Sequence, residues 1–121
     1  MHKYKATLIN IVDGDTQDYA VDLGFNIYHQ IRVRLNGINT PESRTRDLKE
    51  KEVGLQAKLF VADFLKNNQE IIVETEKSGK YGRYLAEVYA DGNALTEALK
   101  SAGLARDYDG GKREPWFAET T

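Results

Sequence analysis

Between residues 28 and 38 apolar and polar side chains alternate. Ile31, Val33 and Leu35 fall on one face of an extended chain, Arg32 and Arg34 on the other. A half-buried strand satisfies that two-residue period and a helix does not. Such a strand is not stable alone, so the rest of the chain has to supply a sheet. Residues 4–12 are rich in β-branched side chains and stop at Asp13-Gly14-Asp15-Thr16, a turn signal. A second run spans residues 18–23, and Gly24-Phe25-Asn26 turns the chain into the alternating segment. Three runs joined by short turns predict an antiparallel meander.

Residues 43–52 are crowded with charge and are expected to form a solvated, mobile loop. Beyond it Ala57, Phe60, Val61, Phe64 and Leu65 recur at helical spacing on one face, and Asn67-Asn68 ends that helix. Strands are expected again at 70–75 and 83–90, followed by a turn at Asp91-Gly92. Asn93 is a candidate cap for a second helix, whose face is Leu95, Ala98, Leu99 and Ala102 and whose end is Gly103. Three strands, a helix, two strands and a helix is the element order of an OB-type barrel. The expected fold class is α+β, a five-stranded OB-fold-like barrel with two packed helices. Residues 1–121 are read as one domain ending in an irregular C-terminal tail over 109–121.

Composition narrows the function. With 121 residues the chain can bury a core without a staple. It has no cysteine, which removes disulfides, thiolate metal sites and a cysteine nucleophile. No apolar run is long enough to span a membrane. The N-terminal Met-His-Lys-Tyr-Lys lacks the apolar stretch of a signal peptide, so a cytoplasmic location is expected unless a leader was removed. A net charge of -2, from 17 basic and 19 acidic residues, gives no overall basic character. Phosphate recognition would have to rest on local clusters.

Three segments can carry chemistry. Asp13-Gly14-Asp15-Thr16 puts two carboxylates on a glycine turn, a possible seat for a hard divalent cation, although a hairpin turn with solvated aspartates is the plainer reading. Arg34 runs into Asn39-Thr40-Pro41-Glu42, which joins a planar phosphate-matching fork to an amide, a hydroxyl and a carboxylate fit to act as base or ligand. Lys80-Tyr81-Gly82-Arg83 sets a second fork beside an aromatic ring, the mixture that backbone and base contacts need. Taken singly, each of these also suits an ordinary surface.

In this order, followed by Tyr89-Ala90-Asp91-Gly92, Glu97-Ala98-Leu99 and Gly103-Leu104-Ala105, the segments resemble the thermonuclease (staphylococcal nuclease-like) family, in a short cytoplasmic or phage-like form. The resemblance covers roughly residues 6 to 108. It implies an OB-fold barrel and a Ca²⁺-dependent phosphodiesterase that acts on DNA or RNA with little sequence preference and leaves 3′-phosphates. It also implies roles. Asp15, Asn39 and the Thr40 carbonyl fall on the metal-ligand positions, Glu42 on the general base, and Arg34 and Arg83 on the phosphate clamps. Lys80 and Tyr81 fall on a neighbouring-phosphate contact, and Tyr108 on a base-contacting tyrosine. The chain departs from the family at Asn39, where an aspartate is usual, at Gly79, where an aspartate often stands, in a shorter loop before Lys80, and in lacking a third helix. Trp116 and Phe117 are expected to pack back on the barrel, with base stacking as the alternative. His2 and His29 have no ligand-spaced partners and read as surface residues. DNA or RNA is the implied partner, no membrane is, and a monomer is expected. The rival reading is a nucleic-acid-binding module of the same fold with weakened catalysis.

Overall fold

The structure, a computed structural model, describes residues 2–67, 70–78, 83–108 and Trp116. Strands β1 (His2–Asp13), β2 (Thr16–Asp22) and β3 (Tyr28–Leu35) form the expected antiparallel meander. The alternating run does not continue to residue 38. β3 stops at Leu35, Gly37 turns the chain at φ 82°, and β4 (Ile38–Asn39) is a separate short strand. Glycine accepts that left-handed backbone without a Cβ clash.

The charged segment 43–52 is only partly a loop. Helix α1 (Leu48–Asn67) begins inside it. Asp47 caps the helix, its Oδ1 accepting from the backbone N–H groups of Lys49 (3.0 Å) and Glu50 (3.3 Å). Solvent-facing charges in the first turns of a helix leave no apolar period to read, which hid this start. Further along, Ala57, Val61 and Leu65 are buried, and Phe60 and Phe64 pack at the margin of the core, as the spacing predicts.

β5 (Ile71–Ser78) and β6 (Arg83–Ala90) pair antiparallel, and β5 also pairs with the first half of β1. β6 then meets β3 in parallel, so β3-β2-β1-β5-β6 close into a five-stranded barrel. Register shifts in β1 between Leu8 and Asn10 and between Ile11 and Asp13 bend it so that it serves both neighbours. Tyr19, Val21, Val33, Leu35, Val73 and Val88 fill the interior, with Val61 and Leu65 of α1 among them.

Asn93 is not a cap. It lies in β7 (Asn93–Ala94), paired back onto Ala90, and α2 (Leu95–Ser101) starts from Ala94 without a side-chain cap. Glu87 of β6 does that work from outside, accepting from the Thr96 hydroxyl (2.7 Å) and the Thr96 N–H (3.4 Å). At the other end Gly103 takes φ 75°, while the Leu104 and Gly103 N–H groups bond the carbonyls of Leu99 and Lys100. This Schellman geometry is what the glycine predicted. β8 (Arg106–Asp107) pairs with β4. Apart from Trp116, the tail from 109 onward lies outside the described residues, as do Lys80, Tyr81, Gly79 and Phe117. No described helix is long and apolar enough to cross a membrane.

Candidate active site

The site gathers at the end of the barrel where β1 turns into β2. Gln17, fully buried, donates from Nε2 to the Gly14 carbonyl (2.7 Å) and accepts from the Tyr19 hydroxyl (3.2 Å), fixing the turn from beneath. A Cβ on Gly14 would stand 2.9 Å from the Ala57 Cβ and 3.0 Å from the Thr40 Oγ1. Glycine is therefore required for α1 and the residue-40 segment to close on the turn.

The two aspartates of the turn have different tasks. Asp13 Oδ1 accepts from the Ser43 N–H (3.0 Å) and hydroxyl (2.6 Å), anchoring the segment that follows β4. Asp15 is buried. Its Oδ1 accepts from the Thr16 hydroxyl (3.0 Å) and its Oδ2 from the Thr40 N–H (3.0 Å). Arg34 Nη1 lies 3.6 Å from Asp15 Oδ2 and donates to the Leu35 carbonyl (3.1 Å). The plainer sequence reading, a turn of solvated aspartates, does not hold: Asp15 is buried in a network that unites β2, β3 and the residue-40 segment.

Asn39 is 1% exposed, and neither its Oδ1 nor its Nδ2 has a hydrogen-bond partner among the described residues. Its neighbour Thr40 is buried too. Glu42 follows Pro41, and its N–H donates to Glu50 Oε2 of α1 (2.8 Å). Gly54 makes that approach possible, since a Cβ there would lie 2.5 Å from the Glu42 carbonyl carbon and 2.7 Å from the Ser43 nitrogen.

Tyr108 closes the other flank. Its N–H bonds the Gly37 carbonyl (2.9 Å), and the Arg34 guanidinium carbon sits 5.7 Å from its ring centroid. Arg34, Leu35, Asn36, Leu85 and Tyr108 help line an open cavity of about 350 Å³. Arg83, far from Arg34 in sequence, starts β6 in register with Arg32, one strand away from Arg34. The side chain of Arg83 lies outside what is described. The Trp116 ring packs on the Arg106 guanidinium at 4.1 Å, and Arg106 pairs with Asn39 across β4 and β8.

Asp15, Arg34, Thr40 and Tyr108 are thus in one network, with Asn39 and Glu42 on the same segment as Thr40. Sequence reasoning missed Ser43, Glu50, Gly54 and the anchoring task of Asp13. A glycine inside a long helix was the available signal for Gly54. The other three depend on contacts between distant segments.

The donor chemistry suits a hard cation. The Asp15 carboxylate, the unpartnered Asn39 amide oxygen and the Thr40 carbonyl are oxygen donors, the kind Ca²⁺ takes. The set carries one carboxylate, and among the described residues no three His, Cys, Asp or Glu side chains converge on a metal position.

The family model described as staphylococcal nuclease homologue matches residues 32–119. A thermonuclease of Staphylococcus hyicus is 34% identical over 101 residues, covering 82% of this chain and 56% of its own. An uncharacterized protein of Methanocaldococcus jannaschii is 34% identical over 128 residues, covering 87% of this chain and 59% of its own. Another, of Bacillus anthracis, is 31% identical over 102 residues, covering 82% and 45%. The chain spans about half the length of these curated relatives.

Proposed function

Because the chain belongs to the staphylococcal nuclease homologue family, we propose that it is a metal-dependent phosphodiesterase that cleaves DNA or RNA with little sequence preference and leaves 3′-phosphates. Residues 1–121 act in this reading as one nuclease unit. The observation that carries it is the buried Asp15–Arg34–Thr40 network beside an open cavity, with Glu42 two residues further along.

Arg34 and Arg83 hold the scissile phosphate, their planar forks matching its oxygens and countering the charge that grows on them. Glu42 orients and deprotonates a water for in-line attack on phosphorus, a contribution typically of ~10²–10⁴ in rate. The bond from phosphorus to the 5′-oxygen breaks, that oxygen takes up a proton and leaves as the 5′-hydroxyl, and the phosphate stays on the 3′ side. Lys80 and Tyr81 bind a neighbouring phosphate, and Tyr108 faces a base. Asp15, the Asn39 amide oxygen and the Thr40 carbonyl would hold Ca²⁺. Such an ion, when bound, supplies positive charge at the phosphate.

A second reading, a binding module with weakened catalysis, draws on Asn39, which leaves the metal position one carboxylate short. Release of acid-soluble nucleotides from plasmid DNA and from RNA, with Ca²⁺ and with chelator, separates the two. The expected result is Ca²⁺-dependent release that Glu42→Gln lowers by at least about a hundredfold. Tight binding of nucleic acid with no release in any divalent cation would overturn the enzymatic reading.

A further inference from the structure

The outward row of β3 carries a further arginine that the proposed chemistry does not use. Arg32 stands two residues before Arg34, on the same face of the strand and roughly 6.5 Å from it along the chain. Val33 between them is fully buried, which fixes that face as the outer one. Arg32 is also in register with Arg83 at the start of β6.

This row is costly for a barrel that only has to fold. Like charges at paired positions on neighbouring strands destabilise a sheet. Arg32 and Arg83 are such a pair, with Arg34 one step further along β3. Asp15 answers Arg34 at 3.6 Å and Asp18 answers Arg32 at 2.8 Å. The other described positions that share this face by register, Thr16, Ala20, Gln30 and Leu85, carry no charge, and neither does Asn10, which pairs with Asp18 from β1. A polyanion laid along the row would meet no further carboxylate and would relieve the repulsion.

Arg32 is held ready for such a contact. Asp18 Oδ1 and Oδ2 accept from Arg32 Nε (2.8 Å) and Nη2 (3.1 Å), a bidentate grip that sets the guanidinium plane. The Asp18 side chain is 9% exposed and that of Arg32 48%, so the carboxylate is covered while part of the fork faces solvent. The other guanidinium donors have no partner among the described residues. An exposed ion pair contributes little to stability, so the grip is better explained by the orientation it gives.

We propose that Arg32 binds a second phosphate of the substrate, the neighbour of the one held by Arg34 and Arg83. The separation of Arg32 from Arg34 is close to that of adjacent phosphates on an extended strand. A chain that sets its scissile phosphate at Arg34 therefore carries its next phosphate to Arg32. The fork is fixed beforehand and loses little freedom on binding. With Asp18 the pair is neutral, so the contact is short-range and directional and adds no long-range attraction. The subsite rests on the nuclease reading and extends it to substrates with more than one phosphodiester.

Binding to the full chain carrying Glu42→Gln tests it without cleavage. In that chain Arg32→Gln is combined with Asp18→Asn, which removes the pair at constant net charge and leaves no buried carboxylate alone. A short oligothymidylate is titrated by fluorescence anisotropy across salt, and a dinucleotide with one phosphodiester by competition. The double substitution should weaken the oligothymidylate by about tenfold and lower the salt slope by about one. The dinucleotide should bind both chains alike, which also reports an intact site. Equal affinity of both chains for the oligothymidylate overturns the subsite. So does an equal loss for the dinucleotide, which would reveal a general disturbance of the site. Cleavage of the same oligothymidylate by the chain with Glu42 intact is scored separately. Its absence would remove the nuclease reading, and the binding difference would still decide Arg32.

Discussion

An amide buried without a hydrogen-bond partner costs roughly 1–3 kcal/mol. Asn39 is such an amide among the described residues, and its neighbour Thr40 donates its N–H to Asp15. An ion at its oxygen would offset that cost. Asn39→Asp should therefore behave differently with and without Ca²⁺. Without the ion it sets a second buried carboxylate near Asp15 and should lower the thermal midpoint. With the ion it should bind Ca²⁺ more tightly in calorimetry by about tenfold, because charge count sets affinity in oxygen cages. Unchanged midpoint and affinity would mean that residue 39 does not face the metal. The arginines carry a parallel expectation. Arg34→Lys and Arg83→Lys remove a bidentate fork and should each cost on the order of 10²–10³ in rate with the fold intact. Wild-type turnover in either variant would remove that residue from the phosphate clamp.

Helix α1 positions Glu42 through one absent side chain. A methyl on Gly54 would press on the Glu42 carbonyl carbon at 2.5 Å and on the Ser43 nitrogen at 2.7 Å, and backbone atoms cannot swing aside. In an unconstrained helix Gly→Ala gains roughly 1 kcal/mol. At Gly54 the sign should reverse, with a loss of about 1–3 kcal/mol in urea unfolding and a fall in cleavage as Glu42 shifts. A gain would show that the contact yields. Elements of this kind mark the limit of what the sequence discloses. The strand with Ile31, Val33 and Leu35 was legible because burial on one face writes a two-residue period, and Gly103 was legible because a left-handed cap needs glycine. The start of α1 was not, because Asp47 caps a turn of solvated charges that carries no period. Nor was the cap on α2, which comes from Glu87 on another strand. The neighbourhood of Arg34 and Arg83 follows from β3 and β6 closing the barrel in parallel, a long-range pairing that no local spacing encodes. Burial raises the Glu87 carboxyl above its ordinary value of 4.5, against the opposing hydrogen bonds from Thr96 and Val88. The folded chain then holds a proton that the unfolded chain releases, so this contribution is full below about pH 4.5 and is lost as pH rises through the raised value. Glu87→Gln should remove that slope. The difference in unfolding free energy between variant and wild type should climb with pH from about 4.5 and then level off, and a flat difference would show an unperturbed carboxyl.

At the scale of the molecule, the proposed function asks the barrel to hold a polyanion while the chain carries a net charge of -2. Long-range attraction is weak on such a body, so association should depend on cations clustered near the cavity. Arg44 and Arg46, both exposed, lie just after Glu42 on the segment that Asp13 and Glu50 anchor. Lys80 and Lys112 belong to the same proposed cluster by sequence but lie outside the described residues, as does the side chain of Lys77. A handful of phosphate contacts predicts a shallow salt dependence. The logarithm of the binding constant for an oligonucleotide should fall with the logarithm of salt at a slope worth a few phosphates. Arg44→Gln and Arg46→Gln should each reduce that slope by about one while sparing the rate of bound substrate, because neither meets the scissile phosphate. Binding to an inactive Glu42→Gln chain across low to moderate salt measures the slope without cleavage. A slope equivalent to about ten or more phosphates would require a basic surface much larger than this cluster. Residues 79–82 and those after 108 would then have to supply it, and the weak-steering account would fall.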